Sequence, residues 1–188
     1  MPVKCKHRSL GGLALGGWAL NGLALGGLAA AALLAGPALA QPPATTPSGL
    51  PVPRYVVLKY GEVNARQGPD EQHRLLWIYK AKGLPVQVVA ETREWRRICD
   101  PEGGLAWVHK RTTDGRRTAM RVQDAPLPLR ASPKPESRIS AYLRGRSIAN
   151  LDKCEKGWCR LKADGASGWA PEDEIWGAKE ALQCPQGR

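Results

Sequence analysis

The 188-residue sequence contains no phenylalanine, only three histidines and only two methionines. It also lacks a G-x-S-x-G motif, an H-E-x-x-H motif and a glycine-rich phosphate loop, so the short patterns of serine hydrolases, zinc proteases and P-loop proteins are missing. His109 ends an apolar run beside two basic residues and is expected to be an ordinary surface histidine. Asp173 and Glu174 are adjacent, which is typical of the start of a helical turn rather than of a facing carboxylate pair. We therefore predict that the protein is not an enzyme and uses no cofactor.

A sustained helical period is also missing from the sequence. Short β-branched and aromatic runs instead alternate with Gly/Pro turns, which predicts an all-β small barrel or sandwich. Because phenylalanine is absent, we expect tryptophan, with six of its seven residues after position 40, to provide much of the core. In the first half of the chain the predicted strands are 55–60, 62–66, 75–79, 84–91, 95–99 and 105–109.

The first 40 residues have the pattern of an export signal. A basic start is followed by an uncharged Leu/Ala/Gly stretch over 10–39, and Ala38-Leu39-Ala40 forms a small-x-small cleavage site. The stretch is long enough to span a bilayer, so a retained membrane anchor is the alternative. The cleavage triplet and the many glycines favour removal. We predict a periplasmic protein, residues 41–188, without a membrane span after cleavage.

Basic residues outnumber acidic ones by 28 to 17, for a net charge of +11. Loss of Lys4, Lys6 and Arg8 with the signal would leave +8. A basic balance can attract nucleic acid, anionic lipid or an acidic cell-wall polymer. Export removes nucleic acid as the usual partner, and because the basic clusters are short, a plain solvated surface explains them equally well.

Residues 41–53 hold five prolines and no charge. This composition predicts a polyproline-like linker, although such segments are also ligands of aromatic grooves.

Four cysteines follow the signal, and in an oxidising compartment they allow three connectivities. Cys154 and Cys159 flank a short glycine-containing turn, so they are expected to face each other across a hairpin and form a disulfide. Cys99 and Cys184 would then pair by elimination. The spacing does not match a zinc ribbon or finger, and no histidine pair accompanies it, so no metal site is predicted.

The chain carries one pattern twice, over 54–109 and 121–170. Arg66 and Arg130 are 64 positions apart, Trp95 and Trp158 are 63 apart, and two further landmarks (Gly83 with Gly145, Trp107 with Trp169) are 62 apart. An offset this constant indicates tandem copies of one small module. Residues 116–122 are expected to close the first copy and to link it to the second.

These residues resemble those of bacterial SH3-like (SH3b) proteins of the periplasm, in particular the two-copy type of alphaproteobacteria. The resemblance is carried by the segments 63–69, 82–86, 94–98 and 104–109, and in the second copy by 157–160 and Gly168-Trp169. Pro128 and Ser132 depart from the pattern of the first copy. The resemblance implies two half-open barrels of five or six strands and a binding role toward peptidoglycan, its stem peptides or another envelope protein.

Two kinds of side chain are candidates for ligand binding. Arg66 and Arg130 precede proline-containing loops, where each could reach a ligand carboxylate or, as we favour, brace its own loop through backbone carbonyls. Tryptophan suits both a core edge and a binding face. The two Trp residues of the closing strands, 107 and 169, are assigned to the core or its rim, whereas those at 95 and 158 stay open. The alternation at 76–79 places either the pair 77 and 79 or the pair 76 and 78 outside, without deciding which. The candidates are Arg66, Trp77, Tyr79, Trp95, Arg130 and Trp158.

We thus predict an all-β protein with two tandem SH3-like small barrels after a signal peptide. The expected segments are a signal (1–40), a Pro-rich linker (41–53), two SH3-like domains (54–120 and 121–180) and a C-terminal tail (181–188). The predicted function is non-catalytic binding in the periplasm, first of peptidoglycan or its stem peptides. The alternative is a protein–protein adaptor or assembly factor that binds extended or Pro-rich segments.

Overall fold

The computed structural model describes residues 46–184, so the predicted signal peptide and the last four residues of the predicted tail lie outside the described part. This part is all-β apart from two single turns of 3-10 helix. The strands of the first copy are β1 (Arg54–Leu58), β2 (Val63–Arg66), β3 (Leu75–Tyr79), β4 (Pro85–Glu91), β5 (Trp95–Cys99), β6 (Leu105–His109) and β7 (Thr113–Asp114). Those of the second are β8 (Thr118–Met120), β9 (Leu127–Arg130), β10 (Ile139–Leu143), β11 (Ile148–Glu155), β12 (Trp158–Ala163) and β13 (Ala166–Pro171). The 3-10 turns, Lys110–Thr112 and Glu172–Glu174, follow β6 and β13.

Each copy forms one antiparallel sheet. The strand order is β3-β2-β6-β5-β4-β1-β7 in the first sheet and β10-β9-β13-β12-β11-β8 in the second. The end strands of neither order pair with each other, so each sheet is an open barrel rather than a closed one. The prediction of two tandem SH3-like units in an all-β protein is confirmed. The strands predicted at 75–79, 95–99 and 105–109 have the observed bounds.

The second copy begins earlier in the chain than expected. Strand β8 pairs with β11 of the second sheet, Thr118 lying opposite Asn150, just as Tyr55 of β1 lies opposite Gln87 of β4 in the first sheet. The prediction that 116–122 closes the first copy is therefore wrong, because the short strand Thr113–Asp114 closes it by pairing with β1. The division between the copies lies between β7 and β8, a few residues before the predicted boundary at 120.

Aliphatic side chains, not tryptophans, fill the two cores. The first cluster is built around Val56, Leu58, Val86, Val88 and Ile98. The second is built from equivalent aliphatic positions, among them Leu127, Leu129, Leu143, Ala149 and Leu161. The expectation that tryptophan provides much of the core is wrong for these two clusters. The assignment of Trp107 and Trp169 to the core or its rim is confirmed, because Trp169 is 8% exposed and Trp107 is half-buried.

A C-terminal segment, residues 176–184, crosses back onto the first copy. The Trp176 indole donates to Pro85 O at 2.8 Å, and the ring meets Tyr55 edge-on at 5.8 Å between centroids. The fully buried Gln87 side chain donates to the Ala181 carbonyl at 2.9 Å and accepts from the Gln183 N–H at 2.9 Å. The described end of the predicted tail is thus packed against β4. There the side-chain amide of Gln87 provides hydrogen-bond partners for backbone groups of the C-terminal segment.

Both expected disulfides are present. Cys99 in β5 is joined to Cys184 at the end of the C-terminal segment, 85 residues apart in sequence. Cys154 and Cys159 lie opposite each other in the β11–β12 hairpin, five residues apart. The first bridge therefore links the first sheet to the C-terminal segment, whereas the second closes one hairpin.

The described part of the predicted Pro-rich linker is docked rather than free. The Ser48 N–H donates to Glu91 at 3.0 Å, Arg54 forms an ion pair with the same carboxylate, and Val52 packs against the first core cluster. The interpretation of 46–53 as a plain spacer is therefore incorrect for these residues.

Within residues 46–184, no helix has the length and apolar character needed to cross a bilayer. The same part of the chain contains no group of three or more His, Cys, Asp or Glu side chains arranged to hold a metal ion.

Candidate functional site

Each copy carries one groove at the same place in its fold. The groove lies where the strand that ends in Arg66 or Arg130 meets the start of the central strand and the 3-10 turn. Groove 1 has a volume of about 300 Å³ and is lined by Glu62, Val63, Asn64, Arg66, Glu71, Trp95, His109 and Thr112, together with Arg111. Groove 2 has a volume of about 290 Å³ and is lined by Pro126, Leu127, Pro128, Arg130, Pro135, Trp158, Pro171 and Glu174, together with Arg121.

The two linings correspond at all but one position each. In the first sheet Trp95 lies opposite His109, and in the second Trp158 lies opposite Pro171. Likewise Arg66 pairs with Trp107, and Arg130 with Trp169. Because duplication preserved this register, the sequence offset of 62 to 64 relates eight of the nine residues in each lining, and only Arg111 and Arg121 lack a counterpart in the other groove. The grooves are thus equivalent sites whose linings have diverged.

The repeated arginines brace the loops beside the grooves. Arg66 Nη1 donates to the His73 carbonyl at 3.0 Å, and Arg130 Nη1 donates to the Ser137 carbonyl at 2.7 Å. The favoured interpretation of these arginines as loop braces is confirmed. Since one guanidinium carries five N–H donors, each arginine keeps donors that can serve a ligand in the groove.

A compact loop of residues 67–74 forms one wall of groove 1. The Asp70 carboxylate accepts from the Gln72 and His73 N–H groups at 2.8 and 3.0 Å and lies 2.8 Å from His73 Nδ1. Desolvation opposes ionisation of Asp70, but these hydrogen bonds outweigh it and hold the pKa of the carboxyl below its usual range. The His73 ring lies over Gly68, where a Cβ atom would come within 2.2 Å of it.

That contact explains why the second copy departs from the first at this loop. Ser137 stands where the first copy has His73, and its smaller side chain accepts a hydrogen bond from the Ser132 N–H at 3.0 Å. Ser132 is the equivalent of Gly68 in the second copy. Because no imidazole lies above it, this position can carry a side chain.

Trp95 and His109 form the floor of groove 1. Trp95 is only 8% exposed, and its ring meets the imidazole of His109 at 5.2 Å between centroids. His109 Nδ1 accepts from the Arg111 N–H at 3.2 Å and so caps the 3-10 turn, while Nε2 lies 3.9 Å from Glu94. The groove therefore presents an oriented imidazole beside an aromatic face.

Both signs of charge surround this floor. Arg111 and Glu71 face each other at 3.9 Å, with 71% and 68% of their side chains exposed, and Glu62 lies 3.3 Å from Lys80. These ion pairs are weak because they are in water, so a ligand with its own charges can replace them at small cost.

Of the six side chains predicted to bind a ligand, four line the grooves and two do not. Arg66 and Trp95 meet in groove 1, and Arg130 and Trp158 meet in groove 2. Tyr79 is buried, and its hydroxyl donates to Asp100 at 2.9 Å, so it is a core residue and no longer a candidate for ligand binding. Burial, with the charge of Asp100, raises the pKa of Tyr79 above its usual value.

Trp77 packs against Tyr79 edge-on and against the first core cluster, outside both grooves. The pair at 77 and 79 thus faces the core, whereas Ile78 is 42% exposed. Cys154 and Cys159 form the predicted staple.

Sequence reasoning missed most of the polar lining of groove 1. His109 had been assigned to the open surface, but only 21% of its side chain is exposed. The strand register could have identified it. In an antiparallel pair, the residue two positions after Trp107 in the closing strand lies opposite Trp95, the first residue of the central strand.

A search of curated proteins finds no significant match. Similar solved structures include NlpC2 from Trichomonas vaginalis, at 17% identity and a TM-score of 0.31, covering 66% of this chain and 48% of that one. NlpC1 from Trichomonas vaginalis is similar at 14% identity and a TM-score of 0.30, covering 71% and 48%. The chain spans about half the length of these two proteins.

The model of the bacterial SH3 domain matches twice, at residues 59–115 and 123–177, which is more than half of the chain and leaves one match on each sheet. The chain therefore belongs to the bacterial SH3 domain family.

Proposed function

We propose that this protein is an exported, non-catalytic binding protein of the cell envelope that recognises the stem peptides of peptidoglycan through groove 1. The observation that carries the proposal is the pair of equivalent grooves, each with an arginine and a tryptophan, on two bacterial SH3 units. Family membership supports a binding role related to the cell wall. The lining of groove 1 supports the choice of ligand.

Stem peptides are short chains that carry free carboxylates and amines. Arg66 and Arg111 provide guanidinium groups for the carboxylates, and Glu62 and Glu71 provide carboxylates for an amine. Trp95 and His109 supply a rigid floor for the aliphatic parts. A small zwitterionic peptide finds a partner for each of its charges in such a groove. A uniformly anionic polymer would instead be repelled by the two carboxylates.

The test is retention of the exported, oxidised protein by purified sacculi at physiological salt. We expect Arg111→Ala to weaken retention about tenfold, which corresponds to ~1.4 kcal/mol. Arg144→Ala is the matched control, because it removes one exposed arginine that lines neither groove and should leave retention unchanged. If the wild-type protein does not bind sacculi, or both variants weaken binding equally, groove 1 is not the peptide site.

The same incubation tests the absence of catalysis. Soluble fragments released from the sacculi should not exceed those of a protein-free control. Their release would show that the protein is a hydrolase.

A further inference from the structure

Groove 2 has lost the charges that suit groove 1 to a zwitterionic peptide. Four polar positions of groove 1, Glu62, Asn64, Glu71 and His109, are prolines in groove 2 (Pro126, Pro128, Pro135 and Pro171). Proline has no N–H and its ring is rigid, so these walls offer neither charge nor backbone donors to an extended peptide. The two grooves are therefore built for ligands of different chemistry.

The aromatic residue in groove 2 is also more open than its counterpart. Trp95 is buried and contacts the ring of His109, whereas Trp158 is half-buried and contacts no other aromatic ring within residues 46–184. Pro171 lies opposite it in the sheet. An indole face bordered by proline rings is a flat, rigid apolar platform.

Three charged side chains remain in groove 2, and each is held in place by protein contacts. Arg121, whose side chain is 9% exposed, forms an ion pair with Glu174 and donates to the Ala125 and Glu174 carbonyls at 3.1 Å each. The Glu174 side chain stays 43% exposed, so its free oxygen is an oriented acceptor. Arg130, fixed by its bond to Ser137, contributes the spare donors of its guanidinium.

A flat apolar face flanked by one fixed acceptor and one fixed donor suits a ring with apolar C–H groups on one side and hydroxyl or amide groups on its edge. A sugar ring has this character, and a volume of about 290 Å³ admits one substituted ring.

We propose that groove 2 binds the glycan strand of the cell wall, with an N-acetylated amino-sugar ring on Trp158, while groove 1 binds the peptide. This inference rests on the proposed function, since it assigns the glycan component of the same peptidoglycan to the second copy. The Cys99–Cys184 bridge and the contacts of Trp176 with the first copy join the two units, so both grooves can act on one polymer.

The experiment uses two probes with the whole exported protein: glycan strands from which an amidase has removed the peptides, and free stem peptides. Trp158→Ala should weaken glycan binding about tenfold or more and leave peptide binding unchanged. Arg111→Ala should do the reverse. Trp158→Phe keeps a flat ring and should retain most of the glycan binding.

A second readout does not depend on an alanine variant being folded. The indole N–H signal of Trp158, assigned by its loss in Trp158→Phe, should shift in the NMR spectrum when glycan is added and stay in place with peptide. Wild-type protein that binds sacculi and peptide but not glycan would overturn the inference and leave the proposed function standing. The inference would also be overturned if Trp158→Ala weakened the binding of both probes equally, or if the indole signal did not shift when glycan was added. Protein that binds neither sacculi nor peptide would overturn the proposed function.

Discussion

Replacing Cys99 and Cys184 with alanine should destabilise the protein much more than replacing Cys154 and Cys159. A disulfide restricts the unfolded chain in proportion to the logarithm of the loop it closes. The loops here span 85 and 5 residues. The chain-entropy relation then gives about 4.6 kcal/mol for the long loop and about 2.1 kcal/mol for the short one at 25 °C.

The long bridge also holds the C-terminal segment on the first sheet. Cys99 and Cys184 are 0% and 1% exposed and pack with Val89 and Trp176. Without the bridge, the two hydrogen bonds with the Gln87 side chain, one donated and one accepted by it, are the main remaining anchor of residues 181–183. Trypsin should therefore cut after the exposed Lys179 faster in the long-loop variant.

Urea denaturation of the oxidised proteins, followed by circular dichroism, measures both losses in free energy of unfolding. Each variant removes two sulfur atoms, so the short-loop variant is the matched control. A loss in the long-loop variant that does not exceed the loss in the control would refute the reasoning, because the closed loop is then not what stabilises the fold.

Three further changes test individual contacts. Tyr79→Phe should cost about 1–3 kcal/mol because it leaves a buried carboxylate short of one donor, while Tyr142→Phe, at a 63% exposed position, should be neutral in the same urea titration. Burial opposes ionisation of Glu91, but hydrogen bonds from Ser48 and other neighbours lower its pKa from 4.5 to about 2. Its contribution to stability is therefore complete above pH 4.5 and lost as the pH falls toward 2, so the stability gap between wild type and Glu91→Gln should narrow over that range; a constant gap would contradict this assignment. Gly177→Ala should cost roughly 1–3 kcal/mol, since φ is +107° and a Cβ would lie 2.5 Å from a carbonyl oxygen, whereas Gly115→Ala, in open space, should change little in thermal melts.

The duplicated module could be recognised from the sequence because its signals are local or strictly periodic. Turn residues, alternation and a constant offset between landmarks identify strands such as 75–79, 95–99 and 105–109 without any knowledge of packing. The bracing of the loops by Arg66 and Arg130 could be predicted for the same reason, since an arginine reaches carbonyls a few residues further along its own chain. The Cys154–Cys159 pair follows from one hairpin.

Contacts between distant segments could not be predicted in this way. No local sequence pattern assigns strand β8 to the second sheet, because that assignment depends on its pairing with β11. Tyr79 is a core residue because segments distant in sequence cover it, among them the β5–β6 turn with Asp100. The contrast between the grooves, polar in one and proline-lined in the other, appeared only when the register of the sheets had placed separate segments side by side.

The amino-acid sequence by itself determined that this chain is a tandem pair of small β modules, with tryptophans and arginines at matched positions, because alternation, turns and repeat spacing act over a few neighbouring residues. The tertiary structure alone decided which of those side chains line a groove, where one copy ends and the next begins, and how residues 176–184 return to the first sheet. Each of these depends on pairing between segments far apart in the chain, where the free energy comes from burial and hydrogen bonds that no local pattern records.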